Sequence, residues 1–323
     1  MHQEKIQAAI NEVKKIVVGQ DRMINRLLVG LFTNGHILLE GVPGLAKTLT
    51  VNTLAKVLQL DFKRIQFTPD LLPSDLVGTM IYNQQEAEFV VKKGPIFANI
   101  ILADEVNRSP AKVQSALLEA MQEKQVTIGE ATFLLDRPFL VLATQNPVDQ
   151  EGTYPLPEAQ VDRFMMKVHI DYPSKSEELE VMRRMTNINY TSEINTVLGK
   201  DEIFEIRNGI NNVRIAEPLE NYIIELVFAT RFPDKYGLRE EGKYIQFGAS
   251  PRASINLNLA SRAIAYMDGR DYVLPEDIKE IAEDVLSHRI IVNYEAEADN
   301  INTRDLIQII LDKIPLNKSV TYQ

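Results

Sequence analysis

The sequence predicts an α/β domain built on a five-stranded parallel sheet, followed by an all-helical domain. Three observations predict it. Short apolar runs alternate with helical patterns as far as about residue 172. One of those runs turns through a Gly/Pro loop straight into a helix. After Pro173 the strand pattern stops, and more polar segments with apolar residues at helical spacing take over. The domains are therefore expected to span residues 1–172 and 173–323.

In order, residues 1–32 carry apolar positions at helical spacing, first Ile6, Ala9, Ile10 and Val13, then Met23, Leu27, Leu28 and Leu31. Between them Val17-Val18-Gly19-Gln20 breaks the pattern, either as a plain interhelix turn or as backbone open to a flat ligand. Ile37–Thr53 reads I-L-L-E-G-V-P-G-L-A-K-T-L-T-V-N-T, a buried strand, a loop and a helix start. Such a turn points several backbone N–H groups, and the positive end of the helix dipole, into one hollow that suits a polyanion. Gly41–Thr48 fits the phosphate-loop pattern G-x-x-x-x-G-K-[ST] except that Ala46 replaces the second glycine. In that pattern Lys47 reaches the β- and γ-phosphates, and the Thr48 hydroxyl ligates Mg²⁺.

Asp61–Thr68 alternates enough for a second strand, and Leu72-Pro73-Ser74-Asp75 starts a short helix. Residues 77–97 read as an inserted hairpin with a polar tip at Asn83–Glu88, an excursion suited to contacting a partner. Ile100–Asp104 is an apolar strand ending in Asp104 and Glu105, and strand ends in open α/β sheets face the ligand crevice. There Asp104 can hold Mg²⁺ through its water shell, and Glu105 can polarise a water towards a γ-phosphate. Ser109 is expected to cap a helix over 109–123 with Pro110 in its first turn. Gln125–Leu135, centred on Gly129, reads as a second hairpin. Phe139–Ala143 is a further buried strand running into Thr144-Gln145-Asn146-Pro147, and Met165–Ile170 is the last.

Beyond Pro173, helices are expected over 174–186, 200–213, 217–232, 250–267, 275–290 and 303–314. Pro251-Arg252-Ala253 opens one of them, an unfavourable place for an arginine unless it meets an anion. Residues 233–249, rich in glycine and charge, are expected to form a mobile excursion.

Composition narrows the function. With no cysteine among 323 residues, there is neither a disulfide framework nor a thiolate metal site. His2, His36, His169 and His288 lack ligand spacing. A net charge of −10 argues against a constitutive nucleic-acid binder. No apolar run approaches a membrane span and the first fifteen residues do not read as a signal peptide, so the cytoplasm is the expected location.

G-V-P-G-L-A-K-T (Gly41–Thr48), L-A-D-E-V-N-R (Leu102–Arg108), Q-S-A-L-L-E-A-M-Q-E (Gln114–Glu123), A-T-Q-N-P (Ala143–Pro147) and L-P-E-A-Q-V-D-R-F (Leu156–Phe164) together resemble the AAA+ ATPases. Within them, the likeness is to the MoxR type of the helix-2-insert branch, where alanine before the loop lysine is usual. The resemblance implies a P-loop AAA+ core with a helical lid, ATP and Mg²⁺ as ligands, and ATP hydrolysis as the activity. Val17–Gln20, Val18 and Gly19 among them, would line the adenine. Gly41, Pro43, Gly44, Leu45, Ala46, Lys47, Thr48 and Leu49 would hold the phosphates. Thr48 and Asp104 would serve the metal, Glu105 the attacking water, Asn146 would be sensor 1 and Arg252 sensor 2. Arg163 would be an arginine finger acting on ATP held by a neighbouring subunit. The implied partners are copies of the chain in a ring, a hexamer by resemblance, and a client protein, often one with a von Willebrand factor A domain. Neither DNA nor RNA is expected as a partner. A slowly hydrolysing binding switch, a metal-chelatase subunit and a nucleic-acid motor are the alternatives.

Overall fold

The computed structural model describes residues 2–42, 44–145, 153–186 and 193–316. They form two compact units, Met1–Arg163 with Val168–Phe204, and Phe164–Lys167 with Glu205–Gln323.

The first unit opens with α1 (His2–Lys14) and α2 (Asp21–Thr33), whose buried faces are the apolar positions read from the sequence. Asn34 ends α2 in the left-handed conformation, φ 59°, and its N–H closes on the last helical carbonyls. Then come β1 (Ile37–Glu40), α3 (Lys47–Val57), β2 (Phe62–Gln66) and α4 (Pro73–Val77). β3 (Gly78–Asn83) and β4 (Glu88–Lys93) form the first hairpin, paired from Gly78–Lys93 to Asn83–Glu88. After β5 (Ile100–Asp104) and α5 (Ala111–Glu123), β6 (Gln125–Ile128) and β7 (Ala131–Leu134) form the second hairpin around Gly129, φ 64°. β8 (Leu140–Gln145), α6 (Glu158–Val161) and β9 (Met166–His169) complete the core.

The sheet has the order β2-β5-β8-β1-β9, with β2–β5, β5–β8 and β1–β8 pairing in parallel. β5 and β8 are buried along nearly their whole length, as strands covered on both faces must be. β2 lies at the edge, exposes Lys63, Arg64 and Gln66, and buries Ile65. Register places Gln66 beside Asp104, and Glu40 beside Gln145, so the carboxyl ends of four strands meet along one rim.

His36, just before β1, is buried and neutral. Its Nε2–H donates to Met121 O (3.1 Å), and its Nδ1 accepts from Val141 N–H (3.0 Å). Desolvation pushes its pKa down from 6.5 to about 4. The folded chain thus refuses a proton that the unfolded chain accepts below pH 6.5. The resulting stability is present above 6.5, is lost as pH falls, and is fully lost near 4. Urea unfolding is expected to show a loss of about 2–3 kcal/mol between pH 7 and 4.5 from this group. The His36→Gln variant should show a shallower pH slope, and an unchanged slope would remove His36 from the account. Buried His288, also depressed well below 6.5, adds to the same trend.

The first unit runs on past residue 172, through α7 (Lys175–Met185) and into α8 (Lys200–Asn211). Arg184 Nη1 donates to Lys15 O (2.9 Å), and Val197 N–H to Val57 O (2.8 Å), fastening this stretch to the end of α1 and to α3. Pro173 therefore breaks the strand pattern without ending the unit.

The second unit packs α9 (Glu217–Arg231), α11 (Pro251–Met267), α12 (Pro275–Leu286) and α14 (Thr303–Lys313) through Leu226, Leu257, Ile281, Ile310 and their neighbours. Phe164–Lys167 counts with it because residues just after α12 hold its backbone. Buried Arg289 donates to Phe164 O (2.6 Å) and Met165 O (3.1 Å). The stretch expected to be a mobile excursion, 233–249, is instead ordered as a 3₁₀ turn at Pro233–Tyr236, α10 (Arg239–Gly242) and β10 (Ile245–Phe247). Buried Leu238 and the Arg231 Nε–Ala249 O bond (2.7 Å) hold it. β10 pairs antiparallel with β11 (Ile291–Val292), a short ribbon within the otherwise helical unit, and α13 (Tyr294–Ala298) follows it. Ser109 does not cap α5 either. Its hydroxyl donates to Val106 O (3.2 Å), closing a 3₁₀ turn at Val106–Arg108, and the helix begins two residues later.

Candidate functional site

Gly41, Gly44, Leu45, Ala46, Lys47, Thr48 and Leu49 line one hollow of about 430 Å³, with Asp104 and Glu105 on its other wall. The backbone explains why the loop takes this path. A Cβ at Gly41 would lie 2.8 Å from Ile170 O, so only glycine lets β1 turn here. Gly44 has φ 89°, in the region open to glycine, with nothing within 4 Å of where a Cβ would point. Ala46 holds the left-handed conformation (φ 55°, ψ 19°) immediately before α3. A glycine would take that conformation more easily by about 1 kcal/mol.

Lys47 is half-buried. Its Nζ donates to Gly41 O (2.5 Å), and among the described residues it makes no ion pair. Burial lowers its pKa, while Asp104, Glu105 and Glu40 act in the opposite sense. A cation so placed gains from an anion entering the hollow.

The opposite wall is a hydrogen-bonded set across β2, β5 and β8. Thr144 Oγ1 donates to Asp104 Oδ1 (2.6 Å) and accepts from Glu105 N–H (2.8 Å). Arg64 donates to Asp104 Oδ2 through Nε (3.0 Å) and Nη2 (2.6 Å). Gln66 accepts from Arg64 Nη2 (2.7 Å) and donates to Glu105 Oε2 (2.8 Å). Arg108 Nε lies 3.2 Å from the same Glu105 oxygen. Glu105 itself has φ 57°, a strained conformation of the sort found at functional positions.

The hydroxyl of Thr48 and the carboxylate of Asp104 are hard oxygen donors that suit Mg²⁺. Among the described residues no three His, Cys, Asp or Glu gather into a metal cage. That donor set fits an ion that arrives coordinated by phosphate oxygens, since Mg²⁺ commonly takes only one or two protein oxygens.

Other expected site residues lie elsewhere or outside the description. Pro43 and Asn146 fall outside the described residues. Val18 and Gly19 form the turn between α1 and α2, with Gly19 at φ 72°, and are not part of the hollow's wall. The φ of 72° favours glycine there, and a Cβ on Gly19 would also push aside the Glu177 carboxylate, 2.8 Å away at Cδ. Arg163 lines a separate cleft beside α5 with Glu119, Glu123 and Gln160, its Nη1 3.5 Å from Leu118 O. Arg252 lies in the second unit, exposed in the first turn of α11, where its N–H donates to Ser250 Oγ (3.2 Å).

Sequence reasoning missed Arg64 and Gln66, and read Thr144 only as part of a strand end. The available signal was period two: Arg64 and Gln66 alternate with buried Ile65 on one face of β2. That pattern reveals a face, but not the carboxylates it meets.

Two family models match the chain, "ATPase family associated with various cellular activities (AAA)" over residues 36–166 and "AAA lid domain" over 239–310. The chain is 49% identical to Chaperone MoxR1 of Mycobacterium tuberculosis, over 96% of this chain and 82% of that one. It is 31% identical to Protein MoxR of Methylorubrum extorquens, over 94% and 93%. A crystal structure of a Cytophaga hutchinsonii protein, assigned as an ATPase, superposes with a TM-score of 0.93 at 68% identity, over 98% and 96% of the two chains.

Proposed function

The chain belongs to the MoxR-type AAA+ ATPases, and on that premise we propose that it hydrolyses ATP to remodel, assemble or load cofactors into partner proteins. The observation that carries the hydrolytic part is the half-buried Lys47 ammonium facing Asp104 and Glu105 across a glycine-lined hollow.

In this reading the amides following Gly41 and the Lys47 ammonium bind the triphosphate. Thr48 and Asp104 would hold magnesium, which when bound neutralises charge on the phosphates. Glu105 takes up the attacking water's proton or orients that water, and its side chain is already aimed by Gln66 and Arg108. Arg163 acts on a neighbouring copy's nucleotide, which makes turnover depend on a ring, a hexamer in this proposal. Its place in a cleft apart from the hollow supports a role in trans. Asn146 and Arg252 sense the γ-phosphate. The client is a protein, by resemblance one carrying a von Willebrand factor A domain, engaged by the two hairpins; the relative named Chaperone MoxR1 supports a protein client. We place the work in the cytoplasm. Among the described residues no helix is long and apolar enough to cross a membrane.

Thermal unfolding with and without ATP and magnesium tests the nucleotide site. At nucleotide about 100-fold above Kd the expected stabilisation is about 2.7 kcal/mol. Lys47→Ala should abolish that shift without lowering the nucleotide-free midpoint, because burial already disfavours the ammonium. A full shift in the variant would remove Lys47 from the site.

A further inference from the structure

Both oxygens of Asp104 are occupied by protein donors, Oδ1 by the Thr144 hydroxyl and Oδ2 by two nitrogens of Arg64. Yet Asp104 is the carboxylate that the proposed function assigns to magnesium. We infer that Arg64 is a resident counter-ion for that carboxylate: it holds Asp104 while metal–nucleotide is absent and lets go when metal–nucleotide binds. This inference rests on the reading of the hollow as an ATP–Mg²⁺ site.

The geometry suits an exchangeable partner. Thr144 is buried and its hydroxyl also caps the Glu105 N–H, so it belongs to the frame of the site. Arg64 stands on the edge strand with its side chain 47% exposed, and can swing into solvent at little cost. An ion pair this exposed is weak, so a divalent ion can displace it. A guanidinium also makes no demand on metal geometry, because it donates hydrogen bonds and never coordinates. Its charge keeps two adjacent carboxylates, Asp104 and Glu105, tolerable beside an incoming polyphosphate.

Arg64 is also tied to the second carboxylate. Since Arg64 can only donate and Glu105 here accepts, the Gln66 amide is oriented with its oxygen to Arg64 and its nitrogen to Glu105. Departure of Arg64 removes the bond that fixes this orientation. Metal–nucleotide entry thereby frees the Gln66 amide from Arg64, while Arg108 still holds Glu105.

The test compares Kd for a fluorescent ADP analogue with excess magnesium and with EDTA, in the unmodified chain, Arg64→Met and Arg64→Lys. Methionine keeps an apolar stem of similar reach without charge. In Arg64→Met the magnesium complex should bind more tightly because no counter-ion has to leave. The metal-free nucleotide should bind more weakly, because Asp104 is then unscreened. The ratio of metal-free to metal-bound Kd should rise about threefold to fivefold, with Arg64→Lys between the two. If Arg64 simply binds phosphate, both Kd values weaken alike and the ratio stays put, which overturns the inference; so does a falling ratio. Circular dichroism at the assay temperature confirms that the variants are folded. If the unmodified chain binds no ADP in either condition, the ATP-site reading fails first, and the exchange falls with it.

Discussion

Glu105→Gln is expected to bind ATP as tightly as the unmodified protein while releasing phosphate about 10²–10⁴ times more slowly, the usual worth of a positioned general base. The substitution keeps the size of the side chain and one acceptor oxygen, so Gln66 can still donate to it. It removes the negative charge that draws the proton of an attacking water. The left-handed backbone at residue 105 and the bond from its N–H to Thr144 do not depend on the side chain. Binding and hydrolysis should therefore separate cleanly. Fluorescent-nucleotide titration and a phosphate-release assay on one preparation read both quantities. Undiminished turnover would show that another group activates the water. The same variant, locked with ATP, is the bait of choice for recovering a client.

Arg163→Ala should leave the affinity for ATP unchanged and abolish the rise of specific activity with protein concentration. Arginine fingers in other phosphate-cleaving systems contribute about 10³–10⁵ in rate, so the loss should be of that order under assembled conditions. The reason is charge: a guanidinium supplied from the next subunit compensates negative charge that grows on the phosphoryl oxygens in the transition state. Within its own chain, Arg163 borders a cleft carrying Glu119 and Glu123, not the wall of the hollow. Measuring turnover across a dilution series, with oligomer size followed by light scattering, provides the check. If the unmodified chain showed constant specific activity over the range in which it assembles, the role in trans would be lost.

Much of the first unit was legible because its signals are local. The buried runs at Ile37–Glu40, Ile100–Asp104 and Leu140–Gln145 are strands that nothing but a covered sheet can accommodate. The two hairpins followed from β-prone runs flanking a polar tip and Gly129. The extent of each unit was less legible. Pro173 looks like a boundary because proline stops a strand, yet the bonds of Arg184 and Val197 to the end of α1 and to α3 carry the unit onward into α8. Residues 233–249 have the composition of a loop. One buried leucine and a few backbone contacts order them, and composition cannot count such contacts.

By itself the sequence determined the family, the sheet-and-helix plan and the loop from Gly41 to Thr48, because each is written in residues adjacent along the chain. Only the tertiary structure decided which side chains meet the two acids at the end of β5. Arg64 and Thr144 each lie 40 positions from Asp104, on the two strands that flank it. Strand order brings them together, and strand order comes from the packing of the whole sheet, which no local period encodes.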